Sequence, residues 1–506
     1  MGDAPATTPA TMPAAVRERS LKDRLLRSTL PELWLFLALA LPGLAALIAS
    51  IPSVDLAYQL RAGAEILAGH GIPSIDTWTF TAADQPWLDQ QWGAQVLLAG
   101  TFSAAGWTGL ALLRVGLVVA TMAGIVTAIR FRGPSMRPRT VALLALAAFI
   151  VMAPALAVRP QLLAMALFGV SLALIAARRQ HPRWLGAVAL LAIPWANIHG
   201  SFVLVPVLLG LAWLEDLRDR APYRTLTLLA GIFATFATFI TPYGLDTWRY
   251  AIGLATNREV TGRISEWQPA QLNDVPGALF WISVAAVVVT VAILGRRGRT
   301  VTWPAILTLV VFAGLGEIAA RGVAWWPGVA AVVIAGIACG APPDPAIPRR
   351  EHRGSPLNGL VGALLLGAGI AFLPLWRPTD PGLKAPTGLL AEAPSGITAS
   401  LRGLATTTDR VWNPQAWGSW FEFAVPAPLY ALDARIEVIP APAWIAADAV
   451  LGAQPAWAQI LDAYQVTIVV VEGPAFSPLA RALADAPAWR LAYTDGDGSV
   501  WVRATR

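Results

Sequence analysis

Long apolar stretches separated by short polar connections occupy the first three quarters of the chain. Runs of about 17 to 25 mostly apolar residues have the length needed to cross a bilayer as a helix. Such runs fall at 33–51, 107–129, 140–157, 161–177, 185–200, 201–215, 225–242, 277–295, 301–319, 322–340 and 358–376. Several are short or fused at a polar turn, and together they predict about eleven spans. Beyond residue 376 no run is long enough to span. The pattern there changes to strand-like segments at Pro428–Leu432, Val466–Val471, Trp489–Tyr493 and Ser499–Arg503. Helical periodicity around 442–463 and 477–486 lies between them, so this part predicts a small α/β domain. The Asp495-Gly496-Asp497-Gly498 turn between the last two segments is a hairpin signal.

Composition agrees with a membrane protein. Of 506 residues 56% are hydrophobic and only 13% charged, roughly half the ~25% charged fraction of an ordinary soluble domain. That excludes a water-soluble globule for most of the chain, and so much apolar surface excludes disorder. Cys339 is the single cysteine, so there is no internal disulfide framework. A net charge of +6 would suit a nucleic-acid binder if the basic residues were clustered on one surface. Instead they sit in alternate connections, and no nucleic-acid partner is implied. Arg17, Arg19, Lys22, Arg24 and Arg27 precede the first run. Then come Arg130, Arg132, Arg137 and Arg139; Arg178, Arg179 and Arg183; Arg218, Arg220 and Arg224; Arg296, Arg297 and Arg299; and Arg349, Arg350 and Arg353. This set holds more than half of the 37 lysines and arginines, whereas the other connections before the tail hold only Arg61, Arg159, Arg249, Arg258, Arg263 and Arg321. By the positive-inside bias the first set is cytoplasmic.

Residues 1–32 start like a signal peptide, but the run that follows is long and lacks a small-residue cleavage site, so it reads as an uncleaved first span. The expected organisation is a cytoplasmic N-terminal tail at 1–32, a transmembrane region at 33–376 and an extracytoplasmic soluble α/β domain at 377–506. Outer loops lie at 52–106 and 243–276. The expected location is the inner, plasma membrane.

Candidate chemistry is sought on the outer side. Leu56, Leu60, Ala64 and Leu67 form a helical apolar stripe after the first span, which predicts an amphipathic helix lying flat on the membrane surface. Trp78, Trp87 and Trp92 fit an interfacial aromatic belt. Asp55 is the first ionisable group the chain reaches outside, at the depth of a lipid headgroup, where a general base can deprotonate an acceptor hydroxyl. The plain alternative is a solvated carboxylate. Asp76 and Asp89 have turn-forming neighbours and read as caps or Asx turns. Arg159, in the turn Val158-Arg159-Pro160-Gln161, and Arg321, four residues after Glu317, suit a phosphate or anchor helix ends. Arg114 lies inside a span and should face a polar cavity or snorkel. His181 and His352 map to the cytoplasmic side, leaving His70 and His199 outside, too few for a three-histidine metal site. His199 reads as a hydrogen-bonded helix-end group or a catalytic one. Glu266, beside Trp267, reads as a sugar ligand or an interfacial anchor.

The stretch Asp55 to Trp92, the Arg159-Pro160-Gln161 turn, Trp195 to Gly200, Thr241-Pro242-Tyr243-Gly244 and Glu266-Trp267-Gln268-Pro269 are joined by Trp417-Gly418, Asp433-Ala434-Arg435 and Asp495 in the tail. Together they resemble bacterial multi-pass membrane proteins similar to GT-C glycosyltransferases. The resemblance implies a GT-C-like helical fold and an acidic residue of the first outer loop, here Asp55, as the catalytic or acceptor-orienting group. It also implies a polyprenyl-phosphate sugar as donor. The chain carries one acid at that position, where the best-known pattern has an adjacent acidic pair. The expected activity moves a sugar from the lipid phosphate to an extracytoplasmic acceptor, with Arg61, Arg159, His199, Glu266 and Arg321 binding substrate. No cofactor is called for, and a divalent metal is left open. Two other classes stay open: a transporter or flippase of lipid-linked sugars, which needs polar groups through the full membrane depth, and a non-enzymatic scaffold for envelope assembly. The tail has no Walker loop, GxGxxG or zinc spacing and reads as a lid or partner-binding domain.

Overall fold

The computed structural model describes residues 27–257, 262–339, 354–473 and 477–505. The arginines expected at 17–24 and 349–353, Lys22, Arg258 and His352 lie outside those residues. Among the described residues thirteen α-helices make the first part: α1 Leu30–Ile48, α2 Val54–Leu67, α3 Trp92–Arg132, α4 Pro138–Met152, α5 Pro160–Ala177, α6 Leu185–Ala196 and α7 Leu204–Arg218, then α8 Arg224–Ala237, α9 Asp246–Thr256, α10 Val275–Arg296, α11 Trp303–Ile318, α12 Trp326–Ala338 and α13 Pro356–Ala371. Each of the expected apolar runs falls on one of them. Among the described residues seven helices are long and apolar enough to cross a membrane, and α8, α11 and α13 are shorter apolar helices. The chain is a multi-pass membrane protein.

Local signals explain the helix ends. Thr29 and Glu32 form a capping box at the start of α1. Prolines stand in the first turn of α4, α5 and α11, where a missing N–H costs nothing. The run expected to begin at 107 is the second part of the 41-residue α3, which kinks at Gly106. Its φ of 58° with ψ of −150° is backbone that only glycine adopts without strain. A bundle core from Ala38 and Met122 through Phe168 and Trp195 to Trp326 holds the helices together.

Residues 410–503 build a five-stranded mixed sheet from β3 Arg410–Trp412, β4 Leu429–Tyr430, β5 Ile468–Glu472, β6 Trp489–Thr494 and β7 Gly498–Arg503, in the order β4-β3-β5-β7-β6. β3 runs parallel to β4 and β5, and β7 runs antiparallel to β5 and β6. The β6–β7 hairpin turns at the Asp-Gly-Asp-Gly signal. β3 escaped the sequence reading because three residues carry too little alternation to register. The short pair β1 Ile51–Pro52 and β2 Leu390–Ala391 ties the end of α1 to the chain leading into this region.

Alternate residues of β5 serve two cores. Val469 and Val471 pack with Leu479, Leu483 and Trp501, while Ile468 and Val470 pack with Trp420, Val500 and Ala57. Ala57 belongs to α2, so the sheet region sits on α2. An adjoining face of α2, Leu56 and Leu60, packs on Leu98, Leu110 and Leu163 of the bundle. Tyr58 and Ala62 pack with Trp78, Trp87 and Val438. The flat surface helix expected from its apolar stripe is therefore a buried wedge between bundle and sheet. A Cβ on Gly63 would fall 2.1 Å from the carbonyl oxygen of Gln95, so α2 crosses the start of α3 in close contact.

Candidate functional site

At the sheet end of the bundle a cavity of about 390 Å³ is enclosed by α2, the 153–161 turn, His199, α9, the 264–267 turn, Arg321 and the 434–437 segment. Asp55, Arg159, His199, Glu266 and Arg321 all line it. Arg61 does not. It pairs with Glu65 at 3.3 Å, and its guanidinium carbon lies 4.4 Å from the Trp78 ring centroid.

Arg159 sits where Pro160 requires it. A residue before proline is driven to extended backbone, and Arg159 has φ −151° and ψ 167° as the cap of α5. Its Nη1 donates to both Glu266 oxygens, at 2.9 and 3.0 Å, and to Asp55 Oδ2 at 3.3 Å. Glu266 lies on a one-turn 3-10 helix, Ser265–Trp267, and its Oε2 is 3.7 Å from Arg321 Nη2. The guanidinium of Arg321 lies 4.2 Å from the Trp267 ring centroid. Arg321 does not continue α11 as its spacing from Glu317 suggested. The helix ends at Ile318, and Arg321 belongs to the 3-10 stretch Ala320–Trp325.

Two arginines thus share one carboxylate, and Asp55 touches one of them. The Asp55 and Glu266 side chains are 38% and 42% exposed, so both face cavity water. The Nε atoms of Arg159 and Arg321 are buried with no hydrogen-bond partner, so the guanidinium pair has unused donor capacity. Burial lowers the pKa of Arg159, but Glu266 and then Asp55 outweigh it and leave that pKa raised. Burial opposes ionisation of Glu266, yet Arg159 and Arg321 hold its pKa below the ordinary value.

His199 is a neutral donor. Its Nδ1 accepts from the Ser201 amide at 3.1 Å, which fixes the proton on Nε2. Burial, then the charges of Arg321 and Arg159, lower its pKa to about 3. In this tautomer its Nε2–H can donate to an anion.

Further residues line the cavity to which the sequence assigned no site role: Tyr58, Gln59, Gln91, Gln161, Tyr250 and Glu437. Gln59 lies four residues after Asp55 on α2, a helical spacing that signals a shared face. Glu437 had no such signal. It accepts from the Tyr250 hydroxyl at 3.3 Å.

The other sequence-derived candidates lie apart. Asp76 makes the expected Asx turn with Trp78 and Thr79 and also binds Arg435 at 2.6 Å. Arg435 pairs with Asp433 too, and its guanidinium lies against both Trp78 and Trp87, 4.2 and 4.6 Å from their ring centroids. Trp78 and Trp87 are 3% and 4% exposed. They are walls of a buried clasp between the first loop and the sheet region, whereas an interfacial belt would leave them exposed. Asp89 accepts from Gln95 at 2.7 Å, and burial pushes its pKa up to about 7 against that bond. Arg114 donates to the carbonyls of Ala49, Ser50 and Leu156, closing the end of α1. Among the described residues no group of three or more His, Cys, Asp or Glu is placed to hold a metal ion. Positive charge at the cavity comes from guanidinium groups.

No protein-family model and no curated protein matches the sequence. Solved structures do. The oligosaccharyltransferase AglB of the archaeon Archaeoglobus fulgidus, in complex with an inhibitory peptide and a dolichol-phosphate, superposes with a TM-score of 0.50. That match covers 87% of this chain and 69% of that one, at 12% identity. ArnT from Cupriavidus metallidurans, in the apo state, gives a TM-score of 0.49 at 15% identity, covering 92% of this chain and 97% of that one. The chain has the GT-C-like fold that the sequence resemblance implied.

Proposed function

We propose that this protein is a membrane glycosyltransferase that moves a sugar from a polyprenyl-phosphate donor to an acceptor at the sheet end of the bundle. In this reading that end and residues 377–506 are extracytoplasmic, the N-terminus is cytoplasmic and the membrane is the plasma membrane. The observation that carries it is the convergence of Asp55, Arg159, Glu266, Arg321 and neutral His199, from five separated segments, on one cavity at a bundle end. The shared fold with an oligosaccharyltransferase solved with a dolichol-phosphate supports it.

The donor's isoprenoid chain lies among the spans, and its phosphate exchanges for Glu266 on Arg159 and Arg321. Guanidinium forks match phosphate oxygens and keep their charge when partly buried. His199 Nε2–H adds a neutral donor. An acceptor hydroxyl attacks the anomeric carbon, and the bond from that carbon to the phosphate oxygen breaks. The electron pair leaves with the polyprenyl phosphate, and Asp55 takes the hydroxyl proton. Positioning and stabilisation of the departing phosphate supply most of the acceleration.

Asp55→Asn keeps the size of the side chain and removes the base. In proteoliposomes with a radiolabelled polyprenyl-phosphate sugar, transfer should fall by about 10²- to 10⁴-fold, the usual contribution of general-base catalysis, with thermal unfolding unchanged. Undiminished transfer by this variant removes Asp55 from the mechanism. Sugar crossing the bilayer without a new glycosidic bond would identify a flippase.

A further inference from the structure

The arginines occupy only part of the cavity lining. Gln59 and Gln161 are 1% and 2% exposed and line it. Gln161 donates its Nε2 to the Arg321 carbonyl at 3.3 Å, which turns its Oε1 away from that bond, and Oε1 has no partner. Gln59 donates its Nε2 to Gln91 at 2.8 Å, and its Oε1 is likewise buried and unpartnered. A buried acceptor left without a donor is costly, so two beside one cavity suit a ligand that brings hydrogen-bond donors. Glu437, fixed by the Tyr250 hydroxyl, adds a carboxyl group to the same lining. Counting all lining groups, the carboxyls of Asp55, Glu266, Glu392 and Glu437 outnumber the guanidiniums of Arg159 and Arg321. Once a phosphate engages those guanidiniums, the remaining surface is rich in acceptors and negative charge.

We propose that Gln59, Gln161 and Glu437 form the subsite for the donor's sugar and select a hydroxylated sugar without an acidic group over a uronic acid. This rests on reading the cavity as the glycosyl-transfer site. Sugar hydroxyls donate to the two amide oxygens and to Glu437. A sugar carboxylate would bring a further anion against oxygen acceptors, an unfavourable juxtaposition that discriminates as effectively as a lost bond. The segment carrying Glu437 thereby gives the C-terminal region a part in substrate choice.

The test measures binding to the Asp55→Asn protein in nanodiscs, where turnover does not interfere. The probes are a short-chain polyprenyl-phosphate glucose, its glucuronate counterpart and the same polyprenyl phosphate without sugar. The glucose lipid should bind at least about tenfold more tightly than the glucuronate. Gln59→Met and Gln161→Met should each weaken glucose-lipid binding roughly five- to tenfold, the value of one or two neutral hydrogen bonds, and leave the sugarless phosphate unaffected. Glu437→Gln, whose amide can donate to a carboxylate, should narrow the preference. Equal affinity for the two sugars, no affinity for either, or variants that weaken the sugarless phosphate equally would overturn the proposal. The glycosyltransferase reading fails separately, if the unsubstituted protein binds these lipids and forms no glycosidic bond with any acceptor.

Discussion

Arg159 and Arg178 stand at opposite ends of α5, roughly 28 Å apart at 1.5 Å per residue, and the charge networks around them are built on opposite plans. Around Arg178 the central charges are matched in pairs, and the Arg178–Asp216 pair at its heart is buried. Its Nε donates to both Asp216 oxygens, its Nη2 to Glu215, and its remaining hydrogen bonds go to the carbonyls of Ile175 and Ala212. Arg132 and Arg179 close on Glu215, and Thr227 closes on Asp216. Arg178 and Asp216 are each 2% exposed. Around Arg159 the carboxylates face water and two guanidinium nitrogens have no partner. A closed network fixes helices. An open one can exchange a partner, and a transferring enzyme needs that exchange.

Breaking the closed network should give the largest effect. Arg178→Leu leaves Asp216 buried without its counter-charge, and removing one member of a buried pair costs about 3 to 5 kcal/mol. Thermal unfolding in detergent should show the loss, while the fraction that folds transfers sugar normally. If stability is unchanged, the two ends do not differ as described.

Arg159→Gln should show the reverse pattern. The carboxylates it abandons are open to cavity water, so the cost in stability should stay within about 1 kcal/mol, as for exposed pairs. Transfer should fall by about 10²- to 10³-fold, the usual consequence of losing one donor to developing charge. Comparing unfolding and transfer for this variant and Arg178→Leu tests the contrast from both sides.

The contrast also shows what a linear sequence displays. Apolar runs and turn residues act through neighbours a few residues away, so the spans, the turn that carries Arg159 and the β6–β7 hairpin were legible. Asp55 stood out because it is the first acid after a span. Glu266 meets Arg159 across 107 residues and Asp76 meets Arg435 across 359, and no periodicity announces such pairs. Trp78 and Trp87 have the composition of an interfacial belt, and only the arrival of Arg435 from the far end of the chain makes them the walls of a clasp. Arg61 looked like Arg159 in sequence, an outward arginine near a candidate acid. Its own Glu65, one helical turn away, engages it first.

A smaller effect sharpens the idea of exchange. Glu266 is the counter-ion that a phosphate must displace. In Glu266→Gln the two arginines lose it, so the KM for the donor should fall roughly three- to tenfold, in line with the strength of a charge-assisted bond. Steady-state kinetics against donor concentration measures this. A rise in KM would show Glu266 acting as a direct ligand for the sugar.

The last effect is in the pH dependence of stability. The His199 imidazole accepts a proton only near pH 3 in the folded protein, whereas the unfolded chain takes it up near pH 6.5. Between those values the unfolded state binds one more proton, so stability falls as pH falls, by about 1.4 kcal/mol per pH unit. It is fully present above about 6.5. His199→Gln removes the titration and should make the acid slope between pH 6.5 and 5 shallower by up to that amount, as read from melting curves. The transfer rate of the unsubstituted protein should show no inflection near pH 6.5 from this residue, because the imidazole at the phosphate is already neutral. An inflection that disappears in His199→Gln would mean that the histidine carries a proton during the reaction, and that the open end holds three positive charges where the geometry supplies two.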